Sequence, residues 1–332
     1  MKVNQKSKNL IVLLLTVVMA LGMLLTGCGG SSSSGGGSSS AKIFYTAPPD
    51  DDFKALLKTA LTENAQTEGV TLDIGEGCNS VNDQVQQIKQ AASGGYDAII
   101  CLPVDRSTAL QLEVSAGDIP LIFVNASPDE EYLEKDKYIV VSSYEMDAGA
   151  YQAEYVWNAL GKPSSFNAVL LRGPVTHNAA IARSVSVYKY FKENGVDVNF
   201  VFDDSANWEE EQAKDMMAVV QKTGQSFDAV FCNNDSMAVG VADYLSSHGY
   251  DLSKIPVVGV DATAGGCQSI VDGKMQFTVY QSASGQGQKA IQCAKALATK
   301  GTAAGIEGLS DDGLYIWVPF EKVDSSNVKN YM

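Results

Sequence analysis

From residue 42 onward the chain repeats one pattern: a short apolar run, then a stretch with apolar residues at helical spacing. The runs that predict strands are 42–46, 70–75, 97–102, 119–124, 138–142, 166–172, 197–202, 228–232, 255–260 and 276–280. Between most of them lie amphipathic segments. In 81–92, the clearest, Val81, Val85, Ile88 and Ala92 share one face, with Gln and Asn between. Strands that are apolar almost throughout, alternating with helices, predict parallel sheets covered on both faces. So many strands are too many for one doubly wound sheet in a chain this long, and two α/β lobes are expected. The division falls near residue 142, because run 138–142 follows 119–124 with only the acidic loop SPDEEYLEKDK between them. Open sheets of this kind take ligands at the carboxyl ends of their strands, so two facing lobes would put the site in the cleft between them.

The first forty residues follow a different pattern. Lys2, Lys6 and Lys8 precede Leu10–Leu25, an apolar stretch interrupted by Thr16 and Gly22. It is short for a spanning helix, which needs about 20 residues, and has the order of a secretory signal. Leu25-Thr26-Gly27-Cys28 closes it and resembles the lipobox of bacterial lipoproteins. The resemblance implies that 1–27 is a signal peptide and that Cys28 becomes a lipid-bearing first residue. Residues 29–40 are only Gly and Ser. Together, 28–40 would form a lipidated tether, a flexible coil spanning about 20 Å. The chain is thereby expected outside the cytoplasm, on the outer face of the cell membrane.

Charge and chemistry narrow the picture. The 332 residues carry a net charge of −15, and losing 1–27 removes three lysines and no acid, which makes it −18. Such a body repels nucleic acid and anionic lipid. With Cys28 lipidated, Cys78, Cys101, Cys232, Cys267 and Cys293 remain, an odd number without a C-x-x-C pair, so neither a zinc site nor an essential disulfide is expected. Cys101 and Cys232 sit in apolar runs and read as small hydrophobes. There are two histidines, His177 and His248, and no G-x-S-x-G, H-E-x-x-H or Walker motif. Gly75-Glu76-Gly77 begins like a dinucleotide fingerprint, but Ser80 holds the third glycine position and a tight strand-to-helix turn explains it better. No nucleophile is paired with a base, so a binding protein is expected rather than an enzyme, with no metal and no cofactor.

The informative residues follow the strands. Pro48-Pro49-Asp50-Asp51-Asp52-Phe53 comes after the first, Asn125 ends the fourth, and RGPVTHNAAIAR carries His177 and Arg183. Trp208 begins a helical stretch, Asn234 and Asp235 stand at a strand-to-helix junction, and Asp261 and Gln281 end the last two runs. Each has a plainer explanation. Asp51, Asn234, Asp235 and Asp261 suit helix N-caps, Trp208 could pack beneath a helix, and Arg183 could be a surface charge. Taken together, nearly every strand ends in an amide, carboxylate, guanidinium or aromatic ring. Such a lining suits a polar, uncharged, disc-shaped molecule: planar groups grip neighbouring hydroxyls, and rings cover C–H faces.

At these residues the chain resembles the sugar-binding proteins of bacterial ABC transporters, the ribose- and galactose/glucose-type periplasmic binding proteins. IPLIFVN, AVLLRGPVTHNAAIAR, NWEEEQAKD, NNDSMAVG and IPVVGVDA carry the resemblance, which spans about 42–325. It implies two doubly wound parallel-sheet lobes joined by three crossings near 142, 281 and 310. One lobe would hold 41–142 and 283–309, the other 143–280 and 310–332. It further implies sugar contacts from Asp51, Phe53 and Asn125 on one side and His177, Arg183, Trp208, Asn234 and Asp261 on the other, with Gln281 at a crossing. The expected partners are a monosaccharide-like ligand and an ABC permease with its ATPase, and the receptor is expected to be a monomer. Rival readings are a receptor for a nucleoside, an autoinducer-like furanose or an amino acid, or a ligand-sensing partner of a chemoreceptor or sensor kinase. Ala47, Ala126 and Ala179 stand where the galactose/glucose type has Tyr, Lys and Asp, and 161–165 is too short for its calcium loop. A smaller, deoxygenated or differently posed sugar is therefore expected.

Overall fold

The computed structural model describes residues 40–332; the signal, Cys28 and nearly all of the Gly/Ser run lie outside the described residues. The chain begins β1 (Lys42–Thr46), α1 (Asp52–Glu68), β2 (Thr71–Ile74), α2 (Val81–Ser93), β3 (Ala98–Cys101), α3 (Ala109–Ala116), β4 (Leu121–Val124) and β5 (Tyr138–Ser142). It continues with α4 (Glu145–Ala159), β6 (Ser165–Arg172), α5 (Asn178–Glu193), β7 (Asp197–Ser205), α6 (Glu210–Thr223), β8 (Ala229–Cys232), α7 (Asp235–Ser247), β9 (Val257–Val258), α8 (Ala264–Val271) and β10 (Phe277–Tyr280). It ends with α9 (Ala283–Lys300), β11 (Tyr315–Trp317) and β12 (Glu321–Asp324).

Two six-stranded sheets result, ordered β11-β5-β4-β3-β1-β2 and β12-β10-β9-β8-β6-β7. The apolar runs are buried on both faces, as a covered sheet requires. In β3, Ile99 packs with Ile88, Leu112 and Phe123 against α2 and α3, while Ile100 packs with Leu57, Leu61 and Ile291 against α1 and α9. In the second lobe Phe166, Val187 and Phe191 fill the face under α4 and α5, and Met217, Met237, Val241 and Leu245 fill the face under α6 and α7. Cys101 and Cys232 are fully buried in β3 and β8, where they pack as small hydrophobes.

The two doubly wound parallel-sheet lobes are as expected, with one antiparallel edge where β12 pairs with β10. One expectation needs correction. The third crossing lies at 318–320 rather than near 310. The chain stays with the first sheet through β11, where Ile316 is fully buried and pairs with Val141, and it leaves at Pro319, which has no N–H to extend the ladder. The first lobe therefore keeps 310–317. The other crossings follow Ser142 and Tyr280: β5 leads into α4, and β10 into α9. Among the described residues no helix is long and apolar enough to cross a membrane.

Candidate functional site

A cavity of about 210 Å³ lies between the lobes, at the carboxyl ends of both sheets. It is smaller than the roughly 300–1,000 Å³ of pockets for drug-sized ligands, which fits one small ring. Asp51, Phe53, Asn125, His177, Arg183, Trp208, Asn234, Asp261 and Gln281 all line it.

On the first-lobe side the side chains are set locally. Asp51 is the N-cap of α1: Oδ1 accepts from the Lys54 amide at 2.8 Å, and Oδ2 pairs with Lys54 Nζ at 2.8 Å. Capping and facing the cavity are compatible, because a carboxylate has several lone pairs. Phe53, the second residue of α1, is buried in the first-lobe core and lines the cavity. Asn125 ends β4 in a left-handed conformation, φ 65°, which asparagine tolerates. Its Nδ2 reaches Gln286 Oε1 at 3.4 Å, and Gln286 Nε2 reaches Ser143 Oγ at 3.3 Å, so Asn125 is tied to the first crossing.

The second-lobe side is a network. Arg183, 3% exposed, projects from α5 and is far from a surface charge. Its Nε donates to Glu145 at 2.7 Å, Nη1 to the Asn233 carbonyl at 2.6 Å and Nη2 to Gln281 at 3.4 Å. Gln281 returns its amide to Glu145 at 3.2 Å. Of the five guanidinium N–H groups two remain for a ligand. Burial opposes the charge on Arg183, and Glu145 with Asp261 overcomes that opposition. His177 caps α5, its Nδ1 accepting from the Ala179 amide at 3.2 Å, which leaves Nε2–H as a donor. Burial first, then Arg183, pulls His177 down to about 4, so the ring is neutral at pH 7.

Trp208 stands over this network at φ 71°, edge-on to His177 at 5.4 Å and 5.8 Å from the Arg183 guanidinium carbon. The indole occupies the space a Cβ on Gly173 would need, so glycine there is a condition of its placement. Asn234 caps α7 through Oδ1 and donates Nδ2 to the Trp208 carbonyl at 3.3 Å. Asp261 is not a cap; Thr263 caps α8. Asp261 sits at φ 114° with its nearer oxygen 3.7 Å from Arg183 Nη1, and among the described residues its side chain accepts no hydrogen bond. Burial pushes its carboxyl well up, against the pull of Arg183.

Sequence reasoning missed several wall residues. Leu102, Pro103, Val104 and Pro174 add apolar surface, and Asp52 and Ser236 face each other across the mouth, Ser236 Oγ donating to Asp52 at 3.1 Å. It also missed Glu145, whose only sequence signal is an acid at the start of a helix. Lys54 is engaged by Asp51, and Arg183 by Glu145 and Asp261, so neither wall cation is left over for an anionic ligand.

The sequence model of the periplasmic binding protein domain matches residues 43–302. The chain belongs to that family. A protein of Rhizobium meliloti named for rhizopine binding is 31% identical to this binding protein over 285 residues, 84% of this chain and 88% of that one. A D-galactose/methyl-galactoside binding periplasmic protein of Haemophilus influenzae is 25% identical over 296 residues, 85% and 88% of the two chains. A solved ABC transporter solute binding protein from Bacillus halodurans, with bound myo-inositol, matches at TM-score 0.78 and 27% identity, covering 89% of this chain and 98% of its own. The two lobes are those of a type I periplasmic binding protein, and membership implies an extracytoplasmic location in a family of substrate-binding proteins.

Proposed function

We propose that this chain is a lipid-anchored receptor that closes on one neutral, polyhydroxylated ring, a monosaccharide or cyclitol, and delivers it to an ABC permease. The observation that carries the reading is the cavity wall. Side chains from the strand ends of both lobes surround a space for one ring, with unspent donors on Arg183 and His177, a free carboxyl on Asp261, and the rings of Phe53 and Trp208. The relatives named for rhizopine and galactose, and the neighbour holding myo-inositol, support the same ligand class. Ala179 lines the cavity, while Ala47 and Ala126 are buried, so the wall has fewer polar contacts than the galactose/glucose type it resembles. Closure follows from geometry: a ring touches both walls only when the lobes meet, so binding shifts the population toward the closed form. Cys28 and its tether would hold the receptor beside the permease at high effective concentration.

Titration calorimetry against myo-inositol, D-galactose, D-allose, D-ribose and xylitol, with a nucleoside and an amino-acid set as controls, tests the reading. Micromolar or tighter binding of a ring polyol is expected. Binding of a nucleoside or amino acid alone would overturn it. Cys28→Ala should release or mislocalise the protein while its binding stays intact.

A further inference from the structure

Asp235 is not in the cavity wall, yet it is completely buried directly behind Asp261. It opens α7 next to the wall residue Asn234, and its amide donates to the Val260 carbonyl at 2.8 Å. Oδ2 accepts from the Thr263 amide at 2.8 Å and the Thr263 hydroxyl at 3.3 Å, and Oδ1 accepts from the Thr278 hydroxyl at 2.6 Å. Thr278 Oγ1 in turn accepts from the Ala262 amide at 3.3 Å. The carboxyl fills a slot that exists because Gly259 and Gly266 have no side chains; a Cβ on either would overlap it.

These bonds converge on Asp261 and Ala262, which both have positive φ, 114° and 51°. Left-handed backbone at a non-glycine residue is strained and persists only where its surroundings enforce it. Here the strained pair is gripped on both sides: Val260 by the Asp235 amide, Ala262 through Thr278, and Thr263 by the Asp235 carboxylate. Without that grip the pair would relax toward ordinary φ and swing the Asp261 carboxyl out of line with Arg183.

We propose that Asp235 is a positioning residue for binding: its carboxylate holds the strained 261–262 turn that aims Asp261 at the ligand. The inference rests on the receptor reading above and goes beyond it, since it assigns binding affinity to a residue the ligand never touches.

A double-mutant cycle tests it, using the tightest binder among myo-inositol, D-galactose, D-allose and D-ribose. Asp235→Asn keeps shape and burial but offers an N–H where an oxygen accepted. It is expected to weaken binding about 10- to 100-fold, as is Asp261→Asn. The double variant should bind within about twofold of Asp261→Asn alone, because Asp235 acts through Asp261. Multiplying losses in the double variant, or unchanged affinity in Asp235→Asn, would overturn the proposal. Thr278→Val removes one strut of the same grip and serves if Asp235→Asn does not fold: its loss of affinity should likewise vanish in the Asp261→Asn background, and persistence of that loss counts against the proposal. Failure of the wild type to bind any of the four polyols would instead refute the receptor reading, so the two failures are distinct.

Discussion

Asp51 in the first lobe and Asp261 in the second face the same cavity, and the protein holds them by different means. Asp51 is bound within its own first turn, by the Lys54 amide and ammonium, with 43% of its side chain still exposed. Asp261 is buried, its side chain accepts no hydrogen bond among the described residues, and it is placed by backbone geometry that Asp235, Thr263 and Thr278 impose from three other positions in the chain. The first wall therefore rests on separate anchors, local at Asp51 and reaching through Gln286 to Ser143 at Asn125. The second is one network that includes Glu145, His177, Arg183, Asn233 and Gln281. A change in the first wall should stay local, and a change in the second should spread. The second lobe is then the pre-organised half, onto which the first closes.

The largest expected effect tests that contrast directly. Arg183→Met leaves Glu145 buried without its cation and should cost about 3–5 kcal/mol of stability, because an unpaired buried charge is expensive. Lys54→Met removes a partly exposed partner of Asp51 and should cost no more than about 1 kcal/mol. Urea denaturation of both variants measures the difference. Equal costs would break the comparison between the walls.

The second effect is a pair of opposed pH dependences inside the second lobe. Burial pushes Asp235 up to about 7 and, with Arg183, pulls His177 down to about 4. An acid raised above its unfolded value near 3.9 contributes most below that value and loses its contribution as pH rises toward 7. A histidine lowered from about 6.5 contributes above that value and loses it as pH falls toward 4. Relative to wild type, Asp235→Asn should therefore gain stability between pH 4 and 7 as pH rises, and His177→Gln should gain as pH falls. Each change is on the order of 2–4 kcal/mol across the window. Denaturant midpoints at several pH values give the slopes, and slopes of the same sign would contradict the two assignments.

How far the site could be read from sequence differs between the walls for the same reason. The nine residues expected from the strand-end pattern and the family resemblance all line the cavity, because a parallel strand's carboxyl end and a helix's first turn are fixed by local pattern. Sequence reasoning read Asp51 and Asn234 correctly as capable of capping, since capping is local. It mistook Asp261 for a possible cap because the true cap, Thr263, lies two residues on, beyond a strained turn that no propensity announces. The roles of Glu145 and Asp235 were hidden, since an acid opening a helix looks the same whether it meets solvent or a buried arginine. The third crossing was misplaced because only Val318, Pro319 and Phe320 separate β11 from β12, and only pairing shows which sheet each joins.

Next in size is the aromatic wall. Trp208→Ala should weaken polyol binding about 10- to 100-fold, as removal of a central aromatic anchor does, with little change in stability for a half-buried ring. Gly173→Ala should reproduce the loss without touching the tryptophan, since the new methyl takes the space of the indole, and should cost about 1–3 kcal/mol from overpacking. Calorimetry and denaturation separate the two readouts. Normal binding by Gly173→Ala would mean that Trp208 reaches the ligand from a different position.

The smallest effect bears on closure itself. Ser236 on α7 donates to Asp52 on α1 at 3.1 Å, across the mouth of the cleft and away from the crossings. Both side chains keep contact with solvent, so the bond is worth about 0.5–1.5 kcal/mol and exists only while the lobes are together. Its loss cannot destabilise either lobe, but it removes a contact made by the closed form alone, so Ser236→Ala should shift the closing equilibrium by a few-fold. The same factor should appear in affinity, mostly as faster polyol release, while the urea midpoint of the ligand-free protein stays where it was. Stopped-flow fluorescence of Trp208 reads the release rate. A lower midpoint with unchanged release would mean that the bond braces the resting protein, and the two walls would then be coupled before any ligand arrives.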